Sequence, residues 1–168
     1  MRKIVIGVMG PGNASPTEAQ NAYELGQLIA QNGWVLLTGG RNAGVMAAAS
    51  LGAKASNGLT VGILPTADAS GMADIVDLAI FTDMGSARNN INVLSSDVVI
   101  ACGMGAGTAS EVALAMKANK PVVLLNEYPE SQQFFSSLSA TGVFVAQNPR
   151  EAIAIVQNLL GKDHQPLN

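Results

Sequence analysis

The chain has 168 residues, 48% of them apolar and 12% charged, with a formal net charge of −3. That is enough chain for one domain with a sizeable core, and too apolar a chain to stay disordered. The negative charge and the 4% aromatic content argue against a sequence-wide attraction for nucleic acid, and no apolar run reaches the roughly 18 residues of a membrane span.

The first predicted element is a strand over residues 3–9. The opening MRKIVIGVMG reads as that strand and not as a secretory leader, because no small-residue cleavage site follows a long apolar stretch. The turn GPGNAS comes next, then a helix over 17–31. In it Ala19, Ala22, Tyr23, Leu25, Leu28 and Ile29 recur at helical spacing, with Pro16 before them and Gly33 after. A strand over 34–38 runs into TGGRNAG and a helix over 43–55. Strands over 59–64 and 75–81 are followed by a helix over 87–95. A strand over 98–101 runs into CGMGAGT and a helix over 108–118. Strand 121–125, helix 131–138, strand 142–146 and helix 150–160 complete the order. Residues 162–168 read as a disordered tail, so a single domain is expected over 1–161.

Most of these strands lack polar alternation, as expected of strands buried on both faces. Strand and helix alternate from end to end. This predicts an α/β fold, a doubly wound, mainly parallel sheet of about seven strands flanked by helices. Ligands of such sheets bind outside the C-terminal strand ends. The glycines fall there: Gly10 and Gly12, Gly39 and Gly40, then Gly103, Gly105 and Gly107. Any one of these loops is equally well a tight strand-to-helix turn. Three at one sheet edge, each feeding a helix start with free N–H groups, predict a site for a phosphate-type anion.

Familiar nucleotide motifs do not account for it. There is no Gly-Lys-Ser/Thr triplet for a P-loop. A dinucleotide fingerprint fails because Ser15 and Thr108 stand where its third glycine belongs, and no acidic residue ends the second strand, so NAD is not expected. No lysine occupies an obvious pyridoxal-phosphate setting. Cys102 is the one cysteine, which leaves no internal disulfide or zinc cluster, and it reads as a small buried apolar residue. Asp68, Asp74 and Asp77 are too scattered for a metal site, and the one histidine, His164, lies in the tail. These features together favour the cytoplasm.

The motifs in combination resemble the Lonely Guy superfamily, also labelled "possible lysine decarboxylases", over about residues 3–125. Its hallmark PGGxGTxxE is matched by Gly105, Gly107, Thr108 and Glu111, with Gly103 and Met104 replacing the proline and first glycine. Arg88 falls at the family arginine, and Asn89 replaces its partner lysine. Ser110 stands where the hydrolases often carry a second acid. GVMGPG, GVMAAASLGA, GLTVGILP and SARNN are more similar to the molybdenum cofactor carrier branch than to the cytokinin-activating phosphoribohydrolases. The resemblance implies a Rossmann-like fold, a homo-oligomer (dimer or tetramer) and a pocket for a phosphate-bearing heterocycle. In the carriers that ligand is molybdopterin with a terminal phosphate, and molybdoenzymes are the recipients to consider. In the hydrolases it is a nucleoside 5′-monophosphate.

Two functions follow as expectations. One is a carrier holding molybdenum cofactor through Gly10, Gly12, Gly39, Gly40, Arg88, Gly103, Gly105, Gly107, Thr108 and Glu111. The other is a phosphoribohydrolase with Arg88 and Glu111 as its catalytic pair. Arg88 is read as an anion clamp or as a salt-bridge partner, and Arg41 as a site residue or a solvated one. Glu111 follows Thr108 in the spacing of a capping box, so it either caps its own helix or contacts the ligand. Met9, Met46, Met72, Met84 and Met104 are candidates for a soft pocket, with core filling the simpler account of most. Residues 66–73 are a candidate lid.

Overall fold

In a computed structural model, residues 2–125, 127–139 and 141–162 are described. They form one all-parallel sheet of seven strands: β1 (Val5–Met9), β2 (Val35–Thr38), β3 (Thr60–Leu64), β4 (Leu78–Phe81), β5 (Val98–Cys102), β6 (Val122–Leu125) and β7 (Val143–Val145). The spatial order is β4-β3-β2-β1-β5-β6-β7. The chain therefore steps outward from β1 to one edge, returns to β5 beside β1, and steps outward to the other edge. The C-terminal ends of β1 and β5 flank the point where the order reverses, and this is where doubly wound sheets open a crevice.

The helices are α1 (Pro16–Gln31), α2 (Gly44–Ala55), α3 (Asn89–Leu94), α4 (Ala106–Lys117), α5 (Pro129–Leu138) and α6 (Pro149–Lys162). Alternating strand residues feed two cores, as the pleat requires. Ile6 and Val8 of β1 and Ile100 of β5 pack with Leu25, Ile29, Val45 and Val156 from α1, α2 and α6. Met9 of β1 and Val99 of β5 pack with Val93, Val112 and Phe135 from α3, α4 and α5.

Several boundaries differ from the sequence reading. β4 begins at Leu78 because Asp77 is occupied before the ladder starts. Its carboxylate accepts from the Thr60 amide at 2.9 Å and pairs with Lys54 at 2.7 Å. The helix expected over 87–95 is a 3-10 turn, Gly85–Arg88, running into the short α3, and Gly85 enters it at φ +53°. α4 starts at Ala106, two residues before the expected Thr108. α6 reaches Lys162, the first residue of the expected tail. Residues 163–168, with His164, lie outside the described residues.

Candidate functional site

The crevice at the reversal point is a cleft of about 350 Å³. Gly10, Pro11 and Gly12 line it after β1, and Gly39 and Arg41 after β2. Arg88 and Asn89 enter from the 3-10 turn and α3, and Gly105, Ala106, Gly107, Thr108 and Glu111 from α4. Met9 and Met46 line it deeper, whereas Met104 packs in the α3–α4–α5 core and Met84 is exposed. Of the predicted glycines, Gly40 and Gly103 are not among the lining residues. Gly40 turns the chain at φ +74°, and Gly103, at φ +78°, faces the Glu18 carboxylate.

Two of the lining glycines owe their identity to close approach. A Cβ on Gly10 would sit 2.3 Å from the Cys102 carbonyl oxygen, so β1 and β5 meet only without it. A Cβ on Gly39 would sit 2.6 Å from Nη2 of Arg88.

The three helix starts at this edge are not equivalent. α1 is closed by a capping box of its own: the Ser15 hydroxyl accepts from the Glu18 amide, and the Glu18 carboxylate accepts from the Ser15 amide at 2.8 Å. At α2, the Val45 amide is taken by the Pro11 carbonyl at 3.1 Å. α4 differs in that its N-cap and whole first turn, Gly105–Thr108, line the cleft, with Gly105 as an N-cap that offers no side chain. Its unpaired N–H groups and the positive end of its dipole open onto the cleft. The expectation of an anion-ready helix start at each loop thus narrows to α4.

This start also removes the cap reading of Glu111. With Gly105 as N-cap, Glu111 lies in the second turn of α4, beyond reach of the helix's free amides. It is buried, 6% exposed, and its Oε1 accepts from Nδ2 of Asn92 at 2.9 Å. Nη1 of Arg88 is 4.0 Å away. Burial pushes the Glu111 carboxyl up to about 7, against the opposing pull of the Asn92 bond and the Arg88 charge. Thr108, on the same helix and 2% exposed, has a hydroxyl with no partner.

Arg88 is 8% exposed and held on two sides. Nη1 donates to the Asn89 side-chain oxygen, and Nη2 reaches the Gly39 carbonyl at 3.4 Å. Its Nε has no partner. Burial lowers its pKa, and Arg41 adds to that lowering, but a guanidinium stays charged in proteins. The Asn89 amide donates onward to the Ser110 hydroxyl at 3.0 Å, which donates to the Gly107 carbonyl at 2.7 Å. A continuous relay therefore ties Arg88 to the first turn of α4. Asn89 stands out in the sequence as the replacement of the family lysine, whereas Asn92 does not; its one signal is a polar residue one helical turn after Arg88, between the apolar Ile91 and Val93.

Cys102 is fully buried, its thiol pushed up to about 12 by burial and by Glu18, so it is not a nucleophile at neutral pH. Residues 66–73 are stitched to the Gly40–Asn42 turn. The Asn42 amide donates to the Gly71 carbonyl and the Ala73 amide to the Gly40 carbonyl, at 2.8 and 3.0 Å. These bonds anchor the C-terminal end of the candidate lid to that turn.

A family model described as SLOG cluster4 matches residues 3–153. The chain belongs to the SLOG cluster4 family. This agrees with the Lonely Guy resemblance of the glycine loops, and structures of similar proteins place it on one branch. A molybdenum cofactor binding protein from Rippkaea orientalis is 60% identical, with a TM-score of 0.94 over 95% of this chain and 99% of that one. A Moco carrier protein from Chlamydomonas reinhardtii is 54% identical, with a TM-score of 0.91 over 96% and 99%. A cytokinin riboside 5′-monophosphate phosphoribohydrolase from Mycobacterium tuberculosis is more distant, at 31% identity over 87% of this SLOG cluster4 chain and 85% of its own.

Proposed function

We propose that this protein binds molybdenum cofactor in the cleft at the β1–β5 reversal point and carries it without altering it. The observation that carries this reading is the open N-terminus of α4, with the unpartnered Thr108 hydroxyl beside it. A terminal phosphate of molybdopterin is the group that such a start suits. The Gly105–Thr108 turn would hold it through backbone amides and the hydroxyl. Arg88 supplies the fixed positive charge, and its free Nε is a further donor. Gly10, Gly12 and Gly39 let the backbone approach the ligand. The branch of similar proteins named for this cofactor supports the choice of ligand.

A second reading, a nucleoside 5′-monophosphate phosphoribohydrolase, is favoured by Arg88 and Glu111 lying in one wall. Against it stands the neutral Asn89–Ser110 contact, where the hydrolase pattern would place a lysine and an acid. A panel of nucleoside monophosphates, followed by chromatography of free base and ribose 5-phosphate, separates the two. The carrier reading expects no release. Release that disappears in E111Q makes this a hydrolase.

We also propose a homo-oligomer, dimer or tetramer, working in the cytoplasm and passing cofactor to molybdoenzymes. The exposed Leu78, Ile80 and Phe81 of edge strand β4 suit contact between copies. NAD and pyridoxal phosphate have no place in this reading. Among the described residues no helix is long and apolar enough to cross a membrane.

A further inference from the structure

Asn92 is fully buried on α3, and the two polar atoms of its amide have different fates. Nδ2 donates to Oε1 of Glu111 at 2.9 Å, whereas Oδ1 has no partner. A buried carbonyl oxygen without a donor is costly, and such atoms are rare in native cores. The group already bonded to this amide is a carboxyl. An ionised carboxylate has no hydrogen to give, whereas a protonated one has. A carboxyl and a carboxamide sharing one hydrogen bond can close a second, from Glu111 Oε2–H to Asn92 Oδ1, and satisfy both groups.

We infer that Glu111 carries a proton against Asn92 when the cleft takes its anion, so that anion capture is linked to proton uptake at this carboxyl. The inference rests on the anion-binding reading of the cleft and deepens it. The surrounding charges are few. Arg88 lies at the outer limit of an ion pair, and its donors are directed to Asn89 and Gly39. Arg41, on the turn after β2, acts on Arg88. α3, β5 and β6, which pack against α4, contribute no charged residue, and the other charge on α4, Lys117, is exposed at its far end. The Asn92 bond and the Arg88 charge repay only part of the desolvation of an ionised Glu111, and its raised pKa agrees. With Glu111 neutral, the charge of Arg88 faces the anion uncompensated. With Glu111 ionised, the carboxylate competes for Arg88 and repels the anion.

The test is a carbon-13 NMR titration of the full chain, labelled at glutamate carboxyl carbons, from about pH 4 to about pH 9. It is run without ligand and in inorganic sulfate, which keeps one charge state across that range. The expected midpoint for Glu111 is about 7 without ligand, moving upward in sulfate. Reciprocity then requires sulfate affinity to fall by up to about tenfold per pH unit above the midpoint. In E111Q, whose amide pairs with Asn92 at every pH, that dependence should vanish; should E111Q not fold, the wild-type titration decides alone. A midpoint near the ordinary value of about 4.5 overturns the inference, and so does a midpoint that sulfate leaves unmoved. Cofactor retention measured on the same preparation keeps the two readings apart. Retention with an ordinary Glu111 sinks only the proton linkage. A neutral-range, sulfate-sensitive Glu111 without retention supports the linkage and sinks only the carrier.

Discussion

The Asn89 amide and the Ser110 hydroxyl are hydrogen-bonded across the α3–α4 interface, Nδ2 to Oγ at 3.0 Å. By the Lonely Guy resemblance, these are the positions of a lysine and of a frequent second acid in the hydrolases, and here both side chains are neutral and in contact. The same two side chains link the Arg88 guanidinium to the Gly107 carbonyl, so the neutral pair also positions the cation of the cleft.

N89A and S110A should each weaken anion binding by about 1 kcal/mol, roughly fivefold, because each breaks the relay at one bond. The double variant should cost less than the sum, since the bond between them is lost only once. Calorimetry of phosphate-bearing ligands checks this. Unchanged affinity in both single variants would remove the relay from the account.

G39A should separate binding from folding. The added Cβ would stand 2.6 Å from Nη2 of Arg88 and 2.8 Å from the Met46 sulfur, both ends of flexible side chains that can shift. The fold should survive, with Arg88 displaced from its seat. Losing a charge-assisted bond predicts about a tenfold or greater loss of affinity. Melting and binding measured on the same sample would show it.

G26A and G52A should do the opposite. Their Cβ atoms would sit 2.0 Å from the Ala49 carbonyl oxygen and 1.9 Å from that of Tyr23. These are backbone contacts between α1 and α2 and cannot yield locally. Each variant should lose at least about 1–3 kcal/mol of stability by overpacking, read as a lower denaturant midpoint.

Glu111 makes stability pH-dependent. Its carboxyl titrates at about 7 in the folded chain against an ordinary value of 4.5. Below the ordinary value both states hold the proton and nothing is lost. Between the two values the unfolded chain releases its proton and the folded one does not, so stability falls as pH rises, and above the folded value the full loss persists. The loss is on the order of 3 kcal/mol. E111Q should therefore melt higher than wild type at about pH 8 and near it at about pH 4. An equal difference at both pH values would contradict the raised carboxyl.

Much of this architecture was legible in the sequence. Buried parallel strands announce themselves as apolar runs, and the parallel-sheet rule turned three glycine loops into one edge. What was hidden has physical causes. Gly105-Ala106-Gly107 reads as loop by propensity, yet α4 starts at Ala106, and that shift moved Glu111 out of capping range. The Ser-x-x-Glu spacing that does form a capping box is Ser15 with Glu18, on α1. Glycines needed for close approach, such as Gly10, look the same in sequence as Gly40 and Gly103, which serve the turn. Asn92 was invisible because its importance lies in one unpaired atom.

The most direct test of the central claim is anaerobic binding of molybdenum cofactor to the purified chain, with R88A and T108A beside it and the Chlamydomonas reinhardtii carrier as reference. The account predicts saturable binding by the wild-type chain, weakened in both variants. A folded wild-type chain that leaves the cofactor free, where the reference carrier retains it, would contradict the account.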